Sequence, residues 1–208
     1  MDILIKPTPY GNRKKVCQVT AIIIVFLASS TAASFYLFRP SMRARSVLSQ
    51  VSALQVGKSG FLDAQHIASQ IGATSSDFCS PAYCSWGIRI DNLALPEQWR
   101  GPGAAFMARF QVRNSLVTEQ GFMFQIGDGE NAQTAEFDEQ DNWPNFPKQF
   151  IVGTQTTDNN PHYRSFVKLT PALPADVRQR YLSFDFNCLW KYGGCKNAQE
   201  LLPTVEWK

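Results

Sequence analysis

Three patterns of apolar and polar positions divide the chain. The first is an apolar run that starts at Val16 and ends at Phe38 and holds no charged residue. At about 1.5 Å rise per residue, a helix of this length spans the about 30 Å of a bilayer's hydrocarbon. Its serines and threonines, from Ser29 to Ser34, can return their hydroxyls to carbonyls one turn earlier, so they do not disqualify it. Phe35 and Tyr36 suit the far interface. The rival is a cleaved signal peptide, with small residues at Ser30-Thr31-Ala32 and Thr31-Ala32-Ala33, but apolar character resumes after them. The expectation is an uncleaved anchor with the lipid bilayer as its partner.

The second pattern has helical spacing. Val47, Leu48, Val51 and Leu54 share one face of a helix expected over residues 42–56, which begins after Pro40. A shorter helix follows over 61–71, with Leu62, Ile67 and Ile71 apolar and Gly72 as its stop.

From Trp86 the period falls to two. Strands are expected over 86–91, 104–112, 116–126, 134–137, 149–154 and 163–169, separated by turns such as Arg113-Asn114-Ser115 and Asn159-Asn160-Pro161. Short strands so spaced predict a central antiparallel sheet, sandwich-like or curved. A C-terminal helix is expected to start at Pro174, with Val177, Tyr181, Phe184 and Cys188 on one face and Gly193-Gly194 as its end. The predicted class is α+β, in four parts: a basic tail (1–15), the membrane helix (16–38), a juxtamembrane helical segment (39–74) and a β-rich domain (75–208).

Charge separates the tail from the body. The chain carries +3, but residues 1–40 hold five of the twenty Lys and Arg and one of the seventeen Asp and Glu, which leaves the rest at −1. A near-neutral body argues against nucleic acid as a partner. Lys6, Arg13, Lys14 and Lys15 before the apolar run, against Arg39, Arg43 and Arg45 after it, favour an N-terminus inside by an excess of one residue. Cysteines add a second vote. Cys79, Cys84, Cys188 and Cys195 are an even set beyond the anchor, spaced for two local disulfides, Cys79–Cys84 and Cys188–Cys195, as in an exported domain. With no N-x-S/T sequon in the chain, a bacterial envelope is the expected setting.

Candidate chemistry is sparse. Residues 114–147 contain seven carboxylates and no Lys or Arg. The plain reading is a solvated acidic face. The alternative is a Ca²⁺ site, which needs six to eight oxygens, with Asp128, Glu130, Asp138 and Asp141 as its candidates. Trp143, between Asn142 and Pro144, is the aromatic best placed to stack on a ligand, whereas Trp86 and Trp190 read as core. His66 is expected in a helix and His162 in a loop, and neither has a sequence neighbour that suggests a triad or metal pair. No cofactor is called for.

The layout of apolar helix, amphipathic helix, sheet and C-terminal disulfide is similar to that of type IV pilins and pseudopilins. That family's assembly residues, a Gly-Phe junction and a glutamate at the fifth mature position, have no counterpart here. Gly11-Asn12 is followed by Arg13-Lys14-Lys15-Val16, and the apolar run has no glutamate. The expected function is a membrane-tethered, non-enzymatic binding or envelope-assembly module that works with an envelope protein partner. The other readings are a carbohydrate- or Ca²⁺-binding sandwich facing the cell wall and an envelope hydrolase, which would bring His66 or His162 to a carboxylate or serine.

Overall fold

The structure is a computed structural model, and it describes residues 11–92, 103–127, 132–140, 151–157, 160–169, 175–190, 195 and 198–201. The chain divides into two units, Met1–Leu37 and Phe38–Lys208. In the first, residues 18–37 are helical and their large apolar side chains, among them Ile22, Ile24, Phe26 and Leu27, are exposed. Ser30 and Thr31 donate their hydroxyls to the Leu27 carbonyl at 2.9 and 3.0 Å, as the sequence led us to expect. By length and composition this helix can cross a membrane.

Helix α1 runs unbroken over Gly11–Ser52 with Pro40 inside it, where the sequence suggested two helices. The pyrrolidine ring removes one backbone donor but holds φ near the helical value, so one missing bond does not end a helix supported on both sides. Beyond Pro40, Ala44, Val47, Val51 and Leu54 are buried, which is the predicted stripe shifted toward its small end. Helix α2, Phe61–Ile71, starts where Asp63 accepts the Gly60 N–H at 2.9 Å and ends at Gly72, whose φ of 70° is left-handed. It buries Ala64, Ala68 and Ile71, while Leu62 faces solvent.

The strands are β1 (Thr74–Ser75), β2 (Tyr83–Asp91), β3 (Ala104–Arg113), β4 (Leu116–Ile126), β5 (Gln133–Gln140), β6 (Ile151–Thr157) and β7 (Asn160–Leu169). They form one sheet in the order β1-β2-β3-β4-β5-β7-β6. Every pairing is antiparallel except β5 with β7, so the expected antiparallel sheet holds with one parallel seam. His162 lies within β7 rather than in a loop.

The inner face of the sheet carries Trp86, Ile88 and Ile90 from β2, Phe106, Ala108 and Phe110 from β3, Phe122 and Phe124 from β4, and Ala135 and Phe137 from β5, all buried. The fold class is α+β, with the body's helices and this inner face sharing one core. At the C-terminal end, helix α3 covers only Ala175–Tyr181, shorter than predicted. Leu182, Phe184 and Phe186 then alternate as buried residues, and Asp185 accepts the Asn187 N–H at 3.0 Å to open a 3-10 turn at Phe186–Leu189. A second turn, Ala198–Leu201, buries Leu201. Both disulfides form as expected: Cys79 pairs with Cys84 and Cys188 with Cys195, with Cα separations of 4.4 and 5.2 Å.

The β3–β4 turn is tied on both sides. Ser115 N–H donates to the Pro81 carbonyl in the Cys79–Cys84 loop at 2.7 Å, and the Ser115 carbonyl accepts from Phe61 N–H at 3.0 Å. Its central residues are both left-handed, Asn114 at φ 50° and Ser115 at φ 67°, the geometry of a primed hairpin turn. Asparagine tolerates this conformation and serine does not, at a cost of roughly 1–2 kcal/mol. Ser115→Gly relieves the strain but loosens the unfolded chain, so a net stabilisation of about 0.5–1 kcal/mol is expected. Calorimetry of the full chain in detergent should show a rise in Tm of about 2 °C.

Candidate functional site

The sheet's outer face is where polar side chains gather. The β-register lines up Thr74, Gly87, Arg109, Gly121 and Asp138 in one row across five strands. The next row contains Arg89, Met107, Met123 and Glu136. Together these residues line a depression of about 300 Å³. Its walls are charged and its floor is thioether and strand backbone, because two of the row's positions have no side chain.

Gly121 is there to make room. A Cβ at this position would lie 2.6 Å from Asp138 Oδ1, 2.9 Å from Arg109 Nε and 3.3 Å from Arg109 Cγ. The Arg109 side chain crosses the β4 backbone at this point and reaches β5, where Nη2 donates to Asp138 Oδ1 at 2.9 Å. Glu119 on β4 stands 3.3 Å from the same nitrogen. Burial works against the guanidinium's charge, but the fields of Asp138, Glu119 and Glu136 outweigh it and raise its pKa above the ordinary arginine value. Asp138 and Glu136 are themselves buried, so the cation is what lets carboxylates stand in a half-covered sheet. At the other side of Met107, Arg89 Nε is held by Asp91 Oδ1 at 2.7 Å, and its Nη1 lies 3.8 Å from Met107 Sδ.

Gly121→Ala is expected to destabilise the protein by about 1–2 kcal/mol, because the added methyl pushes the Arg109–Asp138 pair apart. In an Arg109→Ala/Asp138→Ala background the same methyl meets neither group. There the sign should reverse, to a stabilisation of about 0.5 kcal/mol from the strand's reduced backbone freedom. Urea unfolding of the four variants decides it.

The sequence candidates fall differently. Asp138 sits within β5, paired with Arg109 rather than in an acidic loop. Asp128, Glu130, Asp141 and Trp143 lie outside the described residues. Among the described residues no three of His, Cys, Asp and Glu are grouped to hold a metal. Exposed His66 shares a 2.9 Å hydrogen bond with Gln70 Nε2, one turn along α2. Trp86 is buried as expected and stacks on Phe110 at 5.3 Å, while half-buried Trp190 packs on Phe38 at 4.3 Å. Arg109, Gly87 and Gly121 drew no attention in the sequence. The available signal was a glycine in the middle of two neighbouring strands, which marks close backbone approach.

No protein-family model, curated protein or solved structure matches this chain.

Proposed function

We propose that this protein is a single-pass membrane protein of the bacterial envelope, with its N-terminus in the cytoplasm and its folded body outside, and that the body binds a protein partner through the outer face of its sheet. The observation that carries the binding part is the depression around Arg109. It is a built feature, since Gly121 is kept bare for a guanidinium that two carboxylates hold in place. Methionine floors adapt to the shape of an apolar partner group, which suits recognition more than chemistry. The depression's described lining holds two carboxylates, Glu136 and Asp138, and the Thr74 hydroxyl, but no histidine, cysteine or metal-holding group of three, and Asp138 is tied to Arg109, an arrangement that favours binding over hydrolysis.

Supporting the topology, residues 18–37 expose apolar side chains on all sides, and two disulfides call for an oxidising compartment. Basic residues 13–15 before the apolar run agree with an inside N-terminus. A photo-cross-linking residue at Met123 of the full chain, in its native membranes, should give a discrete adduct. The same residue at exposed Gln65 on α2 should not. Equal adducts from both positions, or none from Met123, would sink the proposal, and a C-terminal reporter active only in the cytosol would sink the topology.

A further inference from the structure

We infer that the outer-face depression takes a planar aromatic side chain of that partner, laid on the Arg109 guanidinium above Met107 and Met123. This rests on the binding reading above and names the chemistry recognised. An exposed arginine in a hollow ordinarily suggests an anion. Here that occupant is disfavoured: Asp138 and Glu119 already hold the guanidinium's Nη2, and Glu136 adds a third negative field. The three carboxylates outnumber this guanidinium, which suits an electron-poor ring edge as well as the open guanidinium face suits the ring's plane.

The flat face of the group is open. The Arg109 stem lies against the Gly121 backbone, yet 54 % of its side chain remains accessible, so it is the outward side that is open. A guanidinium pinned at its edge presents a plane on which an aromatic ring stacks, joining cation–π attraction to apolar contact. The neighbouring position in the row leaves space for that ring. At Gly87 an added Cβ would meet only the Ala108 carbonyl, at 4.0 Å, so this glycine, unlike Gly121, has an open space above it. The Met107 and Met123 thioethers offer sulfur–aromatic contact from below. Arg89, held by Asp91, closes the far side as a second restrained guanidinium with 47 % of its side chain accessible. At about 300 Å³ the space is at the small end of ligand pockets and fits one ring system rather than an extended ligand.

The test uses the full chain in nanodiscs with labelled methionine methyls. The chain has four methionines, and exposed Met42 on α1 is the internal control. The probes are N-acetyltryptophanamide and N-acetylcyclohexylalaninamide, equal in backbone and differing in aromaticity. The tryptophan probe should move the Met107 and Met123 methyls upfield, saturably, and leave Met42 in place. The cyclohexyl probe should bind at least about fivefold more weakly, since a stacked cation–ring contact contributes on the order of 1 kcal/mol. Arg109→Lys, which keeps the charge but not the plane, should weaken the tryptophan probe by a similar factor and leave the cyclohexyl probe unchanged. Gly87→Val, which fills the space, should abolish both. Equal binding of the two probes would overturn the aromatic assignment while the binding face stood. If neither probe moved Met107 or Met123, both readings would fall.

Discussion

Replacing Phe106 with alanine should destabilise the folded body by about 4 kcal/mol, the upper part of the range for a buried aromatic. Phe106 is fully buried, and its ring meets four others: Phe186 at 5.0 Å, Phe184 at 5.8 Å, and Phe122 and Phe124 at 6.2 Å each. The last two come from the neighbouring strand, the first two from the segment after α3. No single element can close the space, because the lining rings belong to a strand pair and to a segment fixed by the Cys188–Cys195 disulfide. The effect should also be directional. Phe186 holds the start of the body's helix, since its carbonyl accepts the buried Ser41 hydroxyl at 2.9 Å and its ring lies 5.9 Å from the Arg45 guanidinium. Hydrogen exchange in Phe106→Ala should therefore accelerate at residues 41–45 and 182–189 before it does at Trp86 and Phe110, which belong to the far part of the core. Phe106→Leu should cost about 1.5 kcal/mol or less, as a hydrophobic swap that keeps much of the volume. Phe78→Ala, at a ring 89 % exposed, should stay within about 0.5 kcal/mol of the parent. If Phe106→Ala cost no more than Phe78→Ala, this core could not be the body's main source of stability.

The parts of the fold that were legible in sequence are those whose burial follows a local period. The sequence places strands β3 and β4 almost to the residue, because Phe106, Ala108, Phe110 and Val112, then Phe122, Phe124 and Ile126, alternate with the less buried Met107, Arg109, Gln111, Met123 and Gln125. The apolar pattern alone ends the β5 strand at Phe137, three residues before its observed end at Gln140. Asp138 and Glu139 look like loop residues until their partners are known, and those partners, Arg109 on β3 and Arg178 on α3, are distant in sequence. Around Phe184 two periods competed. Val177, Tyr181, Phe184 and Cys188 fit a helical face, while Leu182, Phe184 and Phe186 fit an extended segment, and packing against Phe106 selects the second. The candidate site was hidden for the same reason as Asp138. Gly87, Arg109 and Gly121 acquire a relation only when the register brings them into one row.

Breaking the Glu139–Arg178 pair should produce the second large effect. Arg178 Nε donates to Glu139 Oε2 at 2.7 Å, and its Nη1 donates to the Ser52 carbonyl in the last turn of α1 at 3.1 Å. Gln120 donates to the same Glu139 oxygen from β4. One guanidinium thus joins α3, the sheet and the carbonyl end of α1, where the helix dipole favours a cation. The Glu139 side chain is 5 % exposed and that of Arg178 22 %, so screening by water is slight and the pair falls among buried ion pairs. Arg178→Met should cost about 3–4 kcal/mol, chiefly because it leaves a buried carboxylate with Gln120 as its remaining described donor. Hydrogen exchange at residues 49–54 should rise with it. The double variant Glu139→Gln/Arg178→Met removes both charges and keeps an acceptor for Gln120. It should recover to within about 1 kcal/mol of the parent, the remainder being the lost bond to the Ser52 carbonyl. Strong coupling of opposite sign to simple addition is the expected outcome of this cycle. If the double variant is instead as unstable as the two single losses summed, the pair stabilises the body by attraction alone, and the view that each charge is there to make the other tolerable would be wrong.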